Sequence, residues 1–438
     1  MTAARSINAD VAEALEEAKA NYAKANPTSR ATHQKAIPTM PGGNTRTGIF
    51  FDPFPISWVR GEGARLWDAD GHDYVDFISE ATAGIYGHSH PGIRKAIEDR
   101  MDLGWNLGGH TALEAELASI LIDRFPSIER LRFVNSGTEA NMFNVQVARV
   151  VTGRPAVMGF NGCYHGGFLT FTAATNPLNV PFETVVGTYN DVEGTAALID
   201  KHADRLAAII FEPMMGGGGC IPASLEFMRM IRERTKKHGI VMILDEVMTS
   251  RLSSGGLQLK TGVIPDLTSL GKYIGGGLPA GAFGGRADIL DRFDPRKSDA
   301  LPHSGTYNNN VMTLAAGIAG LGKIYTKEAA TALNARGDGL RKRLNAVCDR
   351  AGVAMQFTGI GSMLSVHMQR GEIRNPQDAA KGNAKLRELF FFDLLEQGVH
   401  VMPKRGLMAL SLPLTDADFD TLVAAVEEFV QARRSLFD

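Results

Sequence analysis

The sequence predicts an α/β fold with a large domain on a mixed, mostly parallel sheet and a smaller α/β domain built from the two chain ends. Three observations predict it. Short, continuously apolar runs read as strands buried on both faces: AVMGF (156–160), LAAIIFEP (206–213) and IVMILDEV (240–247). Helical patterns alternate with them, which implies crossovers and a parallel sheet with ligand groups at the strands' carboxyl ends. The rhythm changes after about residue 325.

In chain order, residues 8–24 read as one helix, and 25–57 as an irregular stretch holding the turn-rich segment PGGNTRTGIFFDPFP (41–55). RLWDADGHDYVDF (65–77) reads as two short strands around an Asp-Gly turn. NSGTEANMFNVQVARVVTG (135–153) opens on a turn, continues as a helix and stops at Gly153. LEFMRMIRERTKKHG (225–239) is a helix with a basic last turn and a glycine cap. Helices over about 327–350 and 377–397 precede a last one that starts at Thr415, where TDAD resembles a capping box. The expected division is 1–79 as helix and segment joining the small domain, 80–325 as the large domain, and 326–438 as the C-terminal small domain.

Composition narrows the function classes. A net charge of −2 over 438 residues argues against nucleic-acid binding. No apolar run nears the ~18 residues needed to span a bilayer, and the acidic N-terminal stretch lacks a signal's apolar core. Three widely spaced cysteines, Cys163, Cys220 and Cys348, fit a reducing, cytoplasmic setting better than a disulfide framework. Glycine is in excess: 48 of 438 residues, about 11%, against an ordinary ~7%.

That excess is concentrated. Seven glycines lie between Gly271 and Gly285 around one lysine, Lys272, and four form Gly216–Gly219 just after Glu212. A lysine beside glycine is usually a solvated loop residue, and an acid ending a buried strand, like Asp245, usually caps a turn. Lys272 is no nucleotide P-loop lysine, because Tyr273 follows it. Together, a strand-end carboxylate and a lysine among glycines suit pyridoxal phosphate. Its aldehyde needs an amine, its ring nitrogen a carboxylate, and its phosphate the N–H groups of a helix start. Ser136-Gly137-Thr138 supplies such a start.

Six motifs, NSGTEA, FNGCYHG, FEPMMG, ILDEVMTSR, LGKYIGGGLPAGAFGGR and SGTYNNN, follow one another in an order that resembles the class III aminotransferases of pyridoxal-phosphate fold type I. The resemblance runs from PGGNTR to about residue 430. It is similar to aromatic β-amino acid (β-phenylalanine) aminotransferases and, less closely, to glutamate-1-semialdehyde aminomutases. The resemblance implies that Lys272 holds the cofactor's aldehyde carbon, Asp245 its ring nitrogen, and Gly137 and Thr138 its phosphate. Tyr164 and Val247 would cover the two ring faces, and Glu212 would lie near the cofactor. Thr306 would reach the phosphate of a neighbouring subunit, which implies a homodimer with shared active sites.

For the substrate, the resemblance assigns Arg46 to the carboxylate of a β-amino acid and Arg405 to the α-carboxylate of a keto acid such as 2-oxoglutarate or pyruvate; a bidentate guanidinium suits both. Phe50, Phe51, Phe54 and Ile56 fit an aromatic pocket or a plain core equally well. The alternative activity is the aminomutase, an isomerase. SGTYNNN, DEVMTSR and Arg405 depart from the pattern of those enzymes and weaken that reading. His88 and His90 have metal-like spacing, but without HExxH or CxxC a structural role is expected and no metal. Cys163 reads as structural.

Overall fold

The computed structural model describes residues 10–171 and 176–437. They divide into two compact units: Pro91–Asn334 with Ile373–Pro376, and the described part of Met1–His90 with Ala335–Glu372 and the chain from Gln377. The dividing points fall at 90/91 and 334/335, against the expected 79/80 and 325/326. Residues 80–90 stay with the preceding strands because Gly63 and His88 exchange backbone hydrogen bonds (3.0 and 2.8 Å). Helix Lys327–Ala351 begins in the larger unit, where Asn334 Nδ2 donates to the Arg251 carbonyl at 2.8 Å.

The larger unit is built on a seven-stranded sheet. Its strands are β1 (Arg130–Val134), β2 (Ala156–Phe160), β3 (Glu183–Gly187), β4 (Leu206–Phe211), β5 (Val241–Asp245), β6 (Leu267–Gly271) and β7 (Gly281–Gly285). They lie in the order β1-β7-β6-β5-β4-β2-β3. All run parallel except β7, which is antiparallel to β6 and β1. Strands β2, β4, β5, β6 and β7 are buried at every residue; in β2, β4 and β5 this is why they read as unbroken apolar runs. Edge strand β3 has three of its five residues exposed.

Helix α1 (Gly137–Thr152) follows β1 directly and packs on β6 and β7. The Ser136 hydroxyl accepts from Glu139 N at 3.1 Å and starts it; Gly153, at φ 67°, ends it. Its buried face carries Ala140, Val145, Val147 and Ala148, and also two amides, Asn141 and Asn144. Asn144 Nδ2 donates to Ser269 Oγ at 2.8 Å. Asn141 belongs to the candidate site.

In the smaller unit, strands Trp58–Glu62, Arg65–Asp68 and Asp73–Asp76 form an antiparallel run, and Val399–His400 adds in parallel to the last of them. Gln356–Ile360, Met363–His367 and Leu407–Ala409 make a second sheet. The first helix is Val11–Ala25; residues 8 and 9 of its expected span lie outside the described residues. The stretch read as irregular contains a helix, Pro27–Ala36. Its N-terminal donors are capped from far along the chain: Asp70 accepts from Thr28 N (2.6 Å) and Ser29 N (2.9 Å). Among the described residues, no helix is long and apolar enough to cross a membrane.

Candidate active site

The parallel strands bring their carboxyl ends to one edge of the large sheet, and most of the sequence-predicted residues stand there. Asp245 ends β5 and is buried. Its Oδ2 accepts from Asn141 Nδ2 at 2.7 Å and His165 Nδ1 at 2.8 Å, and its Oδ1 from Val247 N at 3.1 Å. Three donors fix the carboxylate's orientation. Asn141 stands one helical turn beyond Gly137, on the face turned to the sheet. With Nδ1 given to Asp245, His165 Nε2 is buried and has no partner among the described residues.

The glycines work here by close approach. A Cβ on Gly137 would lie 2.6 Å from Val247 Cγ2, and one on Gly166 would lie 2.5 Å from Thr138 Oγ1. Gly271, the last residue of β6, packs on Gly137 and Val247. The Ser136-Gly137-Thr138 turn, the Tyr164-His165-Gly166 turn, Val247 and the end of β6 thus form one contiguous cluster. Lys272 follows at once, half-buried, with φ 58°. A lysine in the left-handed region is strained and persists only where its surroundings dictate it.

Glu212 follows β4 and joins the same cluster. Oε1 accepts from Tyr164 N at 3.0 Å and Oε2 from Gly216 N at 2.9 Å, so it pins both the tyrosine turn and the glycine run. Burial, reinforced by the charge of Asp245, pushes its carboxyl up to about 7. The Tyr164 side chain itself stays exposed while its backbone is anchored. Burial pushes the Cys163 thiol well above its usual range, so it is a packed group rather than a nucleophile.

Thr306 is exposed on a loop tied to the start of α1 through Asn308, whose Oδ1 accepts from Asn135 Nδ2 at 3.0 Å. The two substrate candidates lie in the smaller unit. Arg46 is half-exposed and pairs with Glu80 (Nη1–Oε1 3.0 Å). Arg405 is exposed in a turn whose preceding residue, Lys404, places its ammonium 5.5 Å from the Phe50 ring centroid. The structure therefore brings the segments carrying the two arginines together.

A sequence profile described as "Aminotransferase class-III" matches residues 51–430. The chain belongs to the class III aminotransferases. It is 50% identical over 429 residues to a β-phenylalanine transaminase of Variovorax paradoxus, covering 98% of both chains. A crystal structure of the β-phenylalanine aminotransferase from that organism superposes with a TM-score of 0.96, covering 98% of this chain and 99% of the other. A glutamate-1-semialdehyde 2,1-aminomutase of Desulforudis audaxviator is 37% identical over 409 residues, 89% of this chain and 94% of that one. The fold is that of the type I pyridoxal-phosphate transaminases, and this class III aminotransferase is a pyridoxal-phosphate-dependent enzyme.

Its residues fit that cofactor. The Asp245 carboxylate takes three donors on about four lone-pair sites, which leaves room for another N–H. The N–H groups of Gly137 and Thr138 stand in the first turn of α1, where helix geometry provides no acceptor. Sequence reasoning missed Asn141 and His165, whose signal was polar residues inside otherwise buried motifs. It also missed Arg387, which donates to the Lys404 carbonyl at 2.7 Å; burial and the charge of Arg405 lower its pKa. Phe51 and Phe54 are core residues, packed on Tyr22, with Phe391 and Phe392 also against Phe51. Phe50 alone of the three phenylalanines is half-exposed.

Proposed function

We propose that this aminotransferase moves the amino group of an aromatic β-amino acid, β-phenylalanine or a close analogue, to a keto acid such as 2-oxoglutarate or pyruvate. The similarity to the Variovorax enzyme over nearly the whole chain supports the substrate class. The observation that carries the chemistry is the buried Asp245 carboxylate, held by three donors on the sheet edge where Lys272 is forced into a left-handed turn. Lys272 would hold the cofactor's aldehyde carbon, Asp245 its ring nitrogen, and Gly137 and Thr138 its phosphate, with Ser136 shaping that turn. Tyr164 and Val247 would face the ring. Glu212 would keep Tyr164 in place.

Pyridoxal phosphate, when bound, supplies the carbonyl that takes up an amino group and a ring that accommodates the electrons of a broken C–H bond. Lys272 Nζ, freed by the substrate amine, would be the general base that takes the proton from the substrate's amine-bearing carbon. Asp245 Oδ1 and Oδ2 keep a fixed negative charge where positive charge must persist. Arg46 holds the β-amino acid carboxylate and Arg405 the α-carboxylate of the acceptor.

The active form is a cytoplasmic homodimer in which Thr306 serves the partner's phosphate site. Exposed apolar side chains support the dimer: Met101 at the end of helix Pro91–Met101, Leu103, Trp105 and Leu107 on the loop after it, and Tyr307 beside Thr306. Asn309 Nδ2 joins the two loops by donating to the Gly109 carbonyl at 2.9 Å. A groove of about 610 Å³ runs beside them, lined by His110, Glu114, Arg132, His303, Gly305 and Asn308 among others.

The test is an assay of (R)- and (S)-β-phenylalanine, an α-amino acid and an aliphatic ω-amine with 2-oxoglutarate and with pyruvate. Turnover of one β-phenylalanine enantiomer that requires the keto acid is expected. Activity confined to ω-amines or α-amino acids defeats the substrate assignment, and isomerisation of glutamate 1-semialdehyde without added keto acid restores the aminomutase.

A further inference from the structure

Arg46 is not waiting open for a carboxylate: Glu80 already presents one. Its Oε1 lies 3.0 Å from Arg46 Nη1, and both side chains are more than half exposed (53% and 60%). Glu80 belongs to four consecutive non-glycine residues with left-handed backbone: Ser79, Glu80, Ala81 and Thr82, at φ 49°, 50°, 50° and 79°. Side chains disfavour this region, and such a run survives only when its surroundings over-determine it.

Here they do. The buried Asp76 carboxylate accepts from Ile78 N at 2.8 Å and from Ser79 N at 3.2 Å. His88 Nε2 stands 3.0 Å from Asp76 Oδ2, and His400 Nδ1 3.4 Å from Oδ1. Ser79 Oγ donates to the Ala409 carbonyl at 2.8 Å. Within the turn, Gly84 N donates to Ser79 O at 2.7 Å and Ala83 N to Glu80 O at 3.2 Å. The turn is therefore a stiff mount, and Glu80 is the residue it directs at Arg46.

We propose that Glu80 is a resident stand-in for the substrate carboxylate: it occupies Arg46 in the free enzyme, and the amino acid's carboxylate displaces it. The proposal rests on the reading of Arg46 as the β-amino acid carboxylate's partner. A single, exposed ion pair is weak enough to be exchanged. An incoming carboxylate that engages the guanidinium through two parallel hydrogen bonds is the stronger partner. Glu80 thereby holds the arginine's position between turnovers, at a modest cost in affinity for the carboxylate ligands that must displace it.

The test uses the holoenzyme, β-phenylalanine as substrate, and 3-phenylpropionate, which has the carboxylate but no amine, as a binding probe. Glu80→Gln keeps the side chain's size and removes its charge. It should lower KM, and the dissociation constant of the probe, by about two- to five-fold, with the effect in KM rather than kcat. Glu80→Asp, which retains the charge, should stay nearer the native enzyme. In an Arg46→Ala background Glu80→Gln should change nothing. An unchanged or raised KM in Glu80→Gln, with Arg46→Ala still weakening the probe, overturns the stand-in. If Arg46→Ala itself leaves probe binding intact, the assignment of Arg46 fails instead.

Discussion

The sheet edge around Asp245 and the surroundings of Arg46 and Arg405 treat charge in opposite ways. At the edge, Asp245 and Glu212 are buried and each is held by two or three specific donors. Around the arginines the charges are exposed, with a single ion pair at Arg46 and a like-charged neighbour, Arg387, near Arg405. Buried charges without partners are costly, so the edge is a site of fixed electrostatics. Exposed guanidiniums can be re-partnered at little cost. The contrast suits an enzyme whose cofactor is constant while two different carboxylates take turns.

Substitutions at the edge should therefore act on turnover. Lys272→Ala removes the proposed base and covalent partner, and kcat should fall by at least roughly 10³-fold. Appreciable transamination by that variant, without an added amine, would remove Lys272 from its role. Asp245→Asn is nearly isosteric and its one oxygen can still accept from Asn141 and His165; its amide nitrogen meets the Val247 N–H, a local cost in stability that leaves the fold standing while the charge is lost. A fall in kcat of about 10²–10³-fold is expected, with an altered absorbance of the bound cofactor. Native kcat in Asp245→Asn would mean that the carboxylate is merely structural.

Arg46→Ala should behave differently, raising KM for the β-amino acid by roughly 10- to 100-fold, the worth of a charge-assisted pair, while kcat changes far less. Should it instead depress kcat as strongly as Asp245→Asn at unchanged KM, the division between fixed and exchangeable charge collapses.

The same contrast explains what was legible. Strands β2, β4 and β5 are continuous apolar runs, and Asp245 and Lys272 stand at strand ends where parallel topology places ligand groups. Features fixed by distant partners were not visible. Helix Pro27–Ala36 is polar and is capped by Asp70, so no local apolar period announces it. Phe51 and Phe54 read as pocket or core alike until Tyr22 is seen packed on both and Phe391 on Phe51. Glu80 faces Arg46 across a left-handed turn that contains no glycine to signal it.

The smallest effect tests the edge most directly. Glu212 is pushed from an ordinary 4.5 up to about 7, first by burial and then by Asp245. A raised carboxyl pKa means that the folded chain holds a proton the unfolded chain has released between those values. Its contribution to stability is complete below about pH 4.5 and is lost as pH rises through 7, by at most on the order of 3 kcal/mol. Glu212→Gln cannot titrate, and since both its neighbours, Tyr164 N and Gly216 N, are donors, its amide nitrogen meets one of them unfavourably. The variant should therefore be the less stable protein at pH 4.5, with the gap narrowing steadily towards pH 8. Thermal unfolding of the two cofactor-free proteins across that range reads the difference in Tm directly. A gap that fails to narrow with pH would mean that Glu212 is ionised throughout, held by its two backbone donors against both burial and Asp245.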